Sequence, residues 1–143
     1  MSTSSLHYHL DRTLTAEQFV DVLNRSSLGE RRPVDDRTTI QGMLDHADLL
    51  ITAWDGETLV GVSRAVTDFH YCCYLSDLAV DKACQHQGIG IELMELTRQQ
   101  LGPKCTLILL AAPAAQDYYP KVGFDAHPRC WVVAPGNRIE RKG

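Results

Sequence analysis

The stretch Asp77-Leu78-Ala79-Val80-Asp81-Lys82-Ala83-Cys84-Gln85-His86-Gln87-Gly88-Ile89-Gly90 decides how this chain folds. An apolar strand end and a short turn lead into a Gly-x-Gly loop. Beyond it Ile89, Leu93, Leu96, Met94 and Leu101 line one broad face of a helix that ends near Gly102-Pro103. The first turn of a helix leaves about four backbone N–H groups without partners, and the helix dipole is positive there. Such an end attracts anions, phosphates above all. Gly88 and Gly90 remove the side chains that would keep a pyrophosphate away from those N–H groups.

Three phosphate-binding patterns compete for this loop. A Rossmann fingerprint needs a third glycine at position 93, where Leu93 stands. A P-loop needs Gly-Lys-Ser/Thr after four residues, and the chain has no such run. The third is the Gln/Arg-x-x-Gly-x-Gly/Ala loop of GNAT acetyltransferases, which Gln85-x-x-Gly88-x-Gly90 resembles without a mismatch. On those six residues alone, a plain glycine loop opening a helix is an equal alternative. Context separates the two. The Leu78-Ala79-Val80 strand end stands at the distance the family uses. Further on, Tyr118-Tyr119-Pro120-Lys121-Val122-Gly123-Phe124 resembles its second signature, aromatic-Tyr-x-x-x-Gly-Phe. A helix and one apolar strand lie between the two motifs. The resemblance is strong from Leu49 to Phe124 and loose before that.

Working outward, Leu6 to Leu10 reads as a short strand. Thr15 and Gln18 then form a capping box, with Leu14 and Phe19 at hydrophobic-staple spacing. Gly29 to Pro33 reads as a loop. Ile40, Met43, Leu44 and Ala47 follow at i, i+3, i+4, i+7, behind the acidic start Asp35-Asp36. Leu49 to Trp54 and Leu59 to Val66 read as strands around an Asp55-Gly56 turn, and Tyr71 to Val80 as a third. The apolar run Thr106 to Ala112 has the character of a strand buried on both faces. A short helix from Ala114 to Lys121 and one or two strands between Phe124 and Val133 complete the order β-α-α-β-β-β-α-β-α-β-β, with no repeat, low-complexity tract or linker. The expected fold is α/β, a GNAT-like mixed central β-sheet of about six to seven strands flanked by about four helices. Splayed strands would form the acetyl-CoA cleft, and residues 1–143 would make one domain.

Composition bounds the partners. The chain has 143 residues, 44 % hydrophobic and 22 % charged, enough for one packed domain and too few for two. A net charge of −4 argues against a nucleic-acid partner and suits a cationic acceptor. The five cysteines (Cys72, Cys73, Cys84, Cys105, Cys130) form no C-x-x-C pair, so no metal site is expected. Their odd number, the polar start Met1 to Ser5 and the lack of an apolar stretch of about 20 residues lead us to expect a soluble cytoplasmic protein without membrane contact. A homodimer stays open.

The resemblance implies roles for individual residues. The strand carrying Leu78 to Val80 would bulge and splay from Thr106 to Ala112, admitting pantetheine as a pseudo-strand. Leu78 N–H would face the thioester oxygen as amine attack forms a tetrahedral intermediate, a contact of the kind typically worth ~3–4 kcal/mol. Ala79 and Val80 would bind the pantetheine arm. Gln85, His86, Gln87, Gly88, Ile89, Gly90 and Ile91 would cradle the pyrophosphate. Lys82 and His86 either add charge there or are simply solvated. Tyr119 matches the tyrosine that protonates the departing CoA thiolate, and Tyr118 fits a packing role.

The general base departs from the pattern, because Tyr74 and Ser76 stand where several members of the family place Glu or His. A water relay ending at Asp77 or His70 takes its place in this reading, although strand alternation turns Asp77 to the other face unless the bulge redirects it. Ala112-Pro113 replaces a frequent Asn, which removes one CoA contact. The acceptor would be recognised by Gly29 to Arg37 and His127 to Trp131. There Arg31 and Arg32 either meet a substrate carboxylate or stay solvated. The implied activity is acetyl-CoA-dependent N-acetylation of a primary amine on a small molecule or protein. The rival reading is a non-catalytic acyl-CoA-binding sensor.

Overall fold

The computed structural model describes residues 5–141. The chain divides into two compact units, one running to Leu110 and the other from Ala111 onward. The first is a mixed α/β unit around a five-stranded sheet of order β1-β2-β3-β4-β5. Its elements are β1 (Leu6–His9), α1 (Ala16–Ser26), α2 (Arg37–Asp45), β2 (Leu49–Asp55), β3 (Thr58–Thr67), β4 (Cys72–Val80), α3 (Ile89–Gln99) and β5 (Thr106–Ile108). The first four strands pair antiparallel, and β4 and β5 pair parallel. A parallel pair cannot be joined by a hairpin, and α3 supplies the crossover.

Local chemistry starts each helix. Gln18 N–H donates to Thr15 Oγ1 at 3.1 Å, and Thr15 N–H donates to Gln18 Oε1 at 2.9 Å, completing the capping box. Leu14 and Phe19 on either side of it are both buried in the core. Asp36 caps α2 by accepting from Thr39 N–H at 3.1 Å. Alternation along the strands then feeds two cores. Phe19, Val22, Leu23 and Ile40 of α1 and α2 pack with Trp54, Val62 and Ala79. On the opposite face Ile51, Ala53 and Val60 pack with Ile89 and Leu93 of α3. Full burial of side chains this large favours folding by roughly 1.5–3 kcal/mol each. Trp54 also satisfies its indole N–H on Thr52 Oγ1 at 2.8 Å, with the Arg12 guanidinium 3.6 Å from its ring centroid. Gly61 lets α3 come close. A Cβ there would stand 3.1 Å from both Ile89 Cγ2 and Leu93 Cδ1, so the start of α3 rests directly on the backbone of β3.

The second unit holds two 3₁₀ turns, Pro113–Ala115 and Tyr119–Val122, and no strand among the described residues. The sheet therefore has five strands and the fold three α-helices, somewhat fewer than the sequence suggests. Two turns stand where a helix is expected over Ala114 to Lys121, and Pro120 cannot donate to an i→i−4 ladder there. Residues 124–133 include good strand formers, but Trp131, Val132 and Val133 are exposed and join no ladder. Nor is the apolar run from Thr106 a strand buried on both faces. β5 spans three residues as the last strand of the sheet, and Ile108 is exposed. No helix among the described residues is long and apolar enough to cross a membrane.

Candidate active site

β4 loses its neighbour on one side. Its pairing with β5 runs Cys72↔Thr106, Cys73↔Leu107, Tyr74↔Ile108 and stops. On the other side β3 continues to Gly61↔Val80. From Leu75 to Val80, then, the β4 backbone groups that alternate away from β3 meet no strand on the β5 side among the described residues. Unpaired edges of this kind recruit another extended backbone or a ligand that imitates one. The β3–β4 register slips between Arg64↔Asp77 and Ala65↔Leu75, which leaves Ser76 as the extra residue of a bulge. The bulge bends the strand at the point where the open edge begins. Leu78 and Val80 point towards the α3 side, where they pack at the margin of the second core, and Ala79 is buried in the first.

The open edge runs straight into the glycine loop. Asp81 N–H donates to Val60 O at 2.8 Å, Asp81 Oδ1 accepts from Ala83 N–H at 2.9 Å, and Cys84 N–H donates to Asp81 O at 2.8 Å. A tight turn results, from which Gln85 reaches back to Val80 O at 3.4 Å. His86 and Gly88 both take left-handed backbone, at φ 67° and 81°. Gly88 is the N-cap of α3 and supplies no side-chain cap. The first N–H groups of the helix are therefore left to solvent or to an anion. Gly90 is informative because packing does not require it. A Cβ there would meet only Val80 Cγ2, at an ordinary 3.7 Å. A helical glycine costs roughly 0.5–1 kcal/mol relative to alanine, so its cleared surface fits a bulky anion approaching the backbone. Gln85, His86, Gln87, Lys82 and Ile91 are exposed around this loop, and Ile89 is buried beneath it.

The two base candidates separate. Asp77 is fully buried, and its carboxylate oxygens accept from Arg32 Nε and from Arg64 Nε. Arg32 also donates to Ser76 O at 2.7 Å, and Arg64 to Ser76 Oγ at 2.9 Å. A proton relay ending at Asp77 would deliver to an oxygen that already accepts from an arginine. Arg32 is neither solvated nor free for a substrate carboxylate, but a member of this network. His70 lies before β4, in a turn whose amides Asp68 Oδ1 gathers from His70, Tyr71 and Cys72 at 3.0, 2.8 and 3.1 Å. From Cys72 to Leu78 the strand rise alone amounts to about 20 Å. Sequence reasoning missed the arginine network, although a lone Arg64 inside the apolar strand Leu59 to Val66 was its signal. A buried guanidinium requires a partner.

In the second unit, Tyr119 opens the 3₁₀ turn that Gly123 ends at φ 99°. Its ring makes edge contacts with Tyr118 at 5.4 Å and Phe124 at 5.5 Å between centroids. Burial pushes the Tyr119 phenol above its ordinary range, and Tyr118 adds to the effect. The group therefore keeps its proton at neutral pH. No cluster of His, Cys, Asp and Glu among the described residues has the makings of a metal site.

A mixed sheet with an open β4 edge thus runs through a bulge into an uncapped helix N-terminus. Residues 15–132 match the family model described as an acetyltransferase (GNAT) domain. The chain belongs to the GNAT acetyltransferase family. Among solved structures it is similar to a GNAT-family acetyltransferase from Streptococcus pneumoniae TIGR4, with TM-score 0.70 at 21 % identity over 90 % of this chain and 98 % of that one. A protein from methicillin-resistant Staphylococcus aureus gives TM-score 0.72 at 21 % identity, covering 95 % of this chain and 99 % of the other. An aminoglycoside acetyltransferase from an uncultured soil metagenomic sample gives 0.66 at 19 % identity, over 96 % and 99 %. At these identities the likeness is one of fold.

Proposed function

We propose that the chain, acting as a single catalytic domain, transfers an acetyl group from acetyl-CoA to a primary amine. The carrying observation is the continuity of the open β4 edge, Leu75 to Val80, with the uncapped start of α3. The family match supports the single-domain reading because it spans both units. Bound acetyl-CoA would supply the activated acyl group, and the chain's residues bind and orient it. Leu78 and Val80, whose backbone groups alternate away from β3, offer partners along the edge, while Ala79, also expected beside the pantetheine arm, is paired with Val62 of β3. Gln85 to Ile91 offer N–H groups and the helix dipole to the pyrophosphate. Leu78 N–H would face the oxygen on which charge develops, and a fixed donor there favours the transition state. Tyr119, kept protonated by burial, would return a proton to the leaving sulfur. The net charge of −4 suits a cationic amine, and one structural neighbour is an aminoglycoside acetyltransferase. The odd cysteine count is in keeping with a cytoplasmic setting.

The test is Gly90→Val. Wild type should gain thermal stability from CoA, and the variant should fold but lose that gain. Equal stabilisation of both would move the cofactor away from this loop. A second reading, an acyl-CoA-binding module without turnover, is favoured by one observation. Asp77, the acid nearest the edge, has both oxygens committed to arginines. Steady CoA release with a panel of amines separates the two readings, and mass spectrometry would identify the product.

A further inference from the structure

Two arginine clamps grip β4, one at its bulge and one where it ends. At the bulge Arg32 and Arg64 both donate to Asp77 and together hold the carbonyl and hydroxyl of Ser76. The third nitrogen of Arg32 donates to Arg31 O at 2.9 Å, so each nitrogen of that guanidinium has a protein acceptor. At the strand's end Arg25 donates to Asp81 and, at 2.7 Å, to Leu59 O. Asp81 in turn organises the turn that leads into the glycine loop. Between the clamps the β3 ladder continues unbroken from Arg64↔Asp77 to Gly61↔Val80.

We infer that the two clamps position separate halves of the acyl-CoA site, an inference that rests on the function proposed above. Arg32, with Arg64, sets the direction of the bulged strand and hence of Leu78 N–H, and so governs the chemical step. Arg25 sets the loop Gln85 to Ile91, and so governs affinity for the CoA phosphates. Neither arginine touches substrate in this scheme; both are positioning residues. The physical basis is that a bulge re-aims whatever follows it, and the groups filling its unpaired positions decide the new direction. Misplacing a reacting group by about 1 Å can cost about 10²-fold in rate, whereas a displaced phosphate loop weakens binding of ground and transition states alike.

The experiment compares wild type, Arg32→Gln and Arg25→Gln. Kd for CoA is measured by calorimetric titration. The constants kcat and KM are measured with acetyl-CoA and the amine that wild type acetylates fastest in a screen. Arg32→Gln should lower kcat about 30-fold while changing Kd less than about threefold. Arg25→Gln should raise Kd about tenfold with a smaller effect on kcat. Wild-type behaviour in both variants, parallel losses of binding and rate in each, or the reverse split would overturn the division while leaving acyl transfer intact. A wild type that binds CoA but acetylates nothing overturns it in favour of the binding module. One that does not bind CoA overturns the proposed function as well. Arg32→Lys and Arg25→Lys keep the charge but not the planar fork. They must show the same split, and they decide the matter if a Gln variant does not fold.

Discussion

The two stretches that carry the family motifs are held in place by different means. Leu78 to Ile91 is held by contacts distant in sequence. These are the β3 ladder, the Asp77 and Asp81 ion pairs, and the burial of Ile89 and Leu93 under the sheet. Within the second unit, Tyr118 to Phe124 is tied by contacts close in sequence, a 3₁₀ turn and two edge-on ring contacts. A motif's clarity in sequence is thus no measure of how firmly its residues are fixed. The long-range stretch suits a site that must keep backbone donors at set positions. The local stretch suits a side chain that has only to present one hydroxyl.

Tyr119→Phe offers the largest effect. It deletes one hydroxyl and leaves the edge contacts with Tyr118 and Phe124 in place. General-acid help is typically worth ~10²–10⁴ in rate, so kcat should fall by that factor with little change in acetyl-CoA affinity. Tyr118→Phe should retain near-normal turnover. The opposite pattern would shift the motif by one residue, and full activity in both variants would make Tyr119 structural.

Asp77→Asn tests the long-range stretch. Removing the countercharge leaves two buried or half-buried guanidiniums facing an amide, and breaking a buried pair typically costs about 3–5 kcal/mol. Urea unfolding should show that loss. An unchanged midpoint together with a large fall in kcat and an altered acidic limb of the pH profile would instead identify Asp77 as the end of a proton relay.

The smallest effect belongs to the turn between β3 and β4. Three backbone N–H groups, of Tyr71, Cys72 and His70, lower the Asp68 carboxyl from its ordinary 3.8 to about 2. Because the folded value lies below the unfolded one, the stabilisation is complete above about pH 4 and disappears as pH falls through about 2. In Asp68→Asn, the melting temperature should vary less between those pH values than in wild type. Parallel curves would mean that the carboxylate contributes nothing to folding.

Much of the architecture is legible in the chain because it depends on local chemistry. The Thr15–Gln18 capping box, the Asp36 cap, the apolar runs of β2 and β3, and the Gly88-x-Gly90 start of α3 each need only a few neighbouring residues. The hairpin shows the usual limit of such reading. Its central residues are Gly56 and Glu57, one place beyond the Asp55-Gly56 turn, because Asp55 still pairs with Thr58. The helix and strands expected after Ala111 show a different limit. Propensity proposes an element, but Pro120 removes a helix donor, and Trp131 to Val133 cannot form a strand without a partner.

By itself the sequence determined the class of this protein. Helix caps, alternation and the cleared backbone of a glycine loop are set by neighbours in the chain, and two such motifs at their spacing are enough to mark the family. Only the tertiary structure decided what surrounds the reacting end. That Arg32, forty-five positions from Asp77, and Arg64, thirteen from it, would meet on one carboxylate depends on the β3–β4 register and on where the chain between α1 and α2 comes to rest. Charges choose partners by distance in space, and no periodicity in the chain encodes that distance.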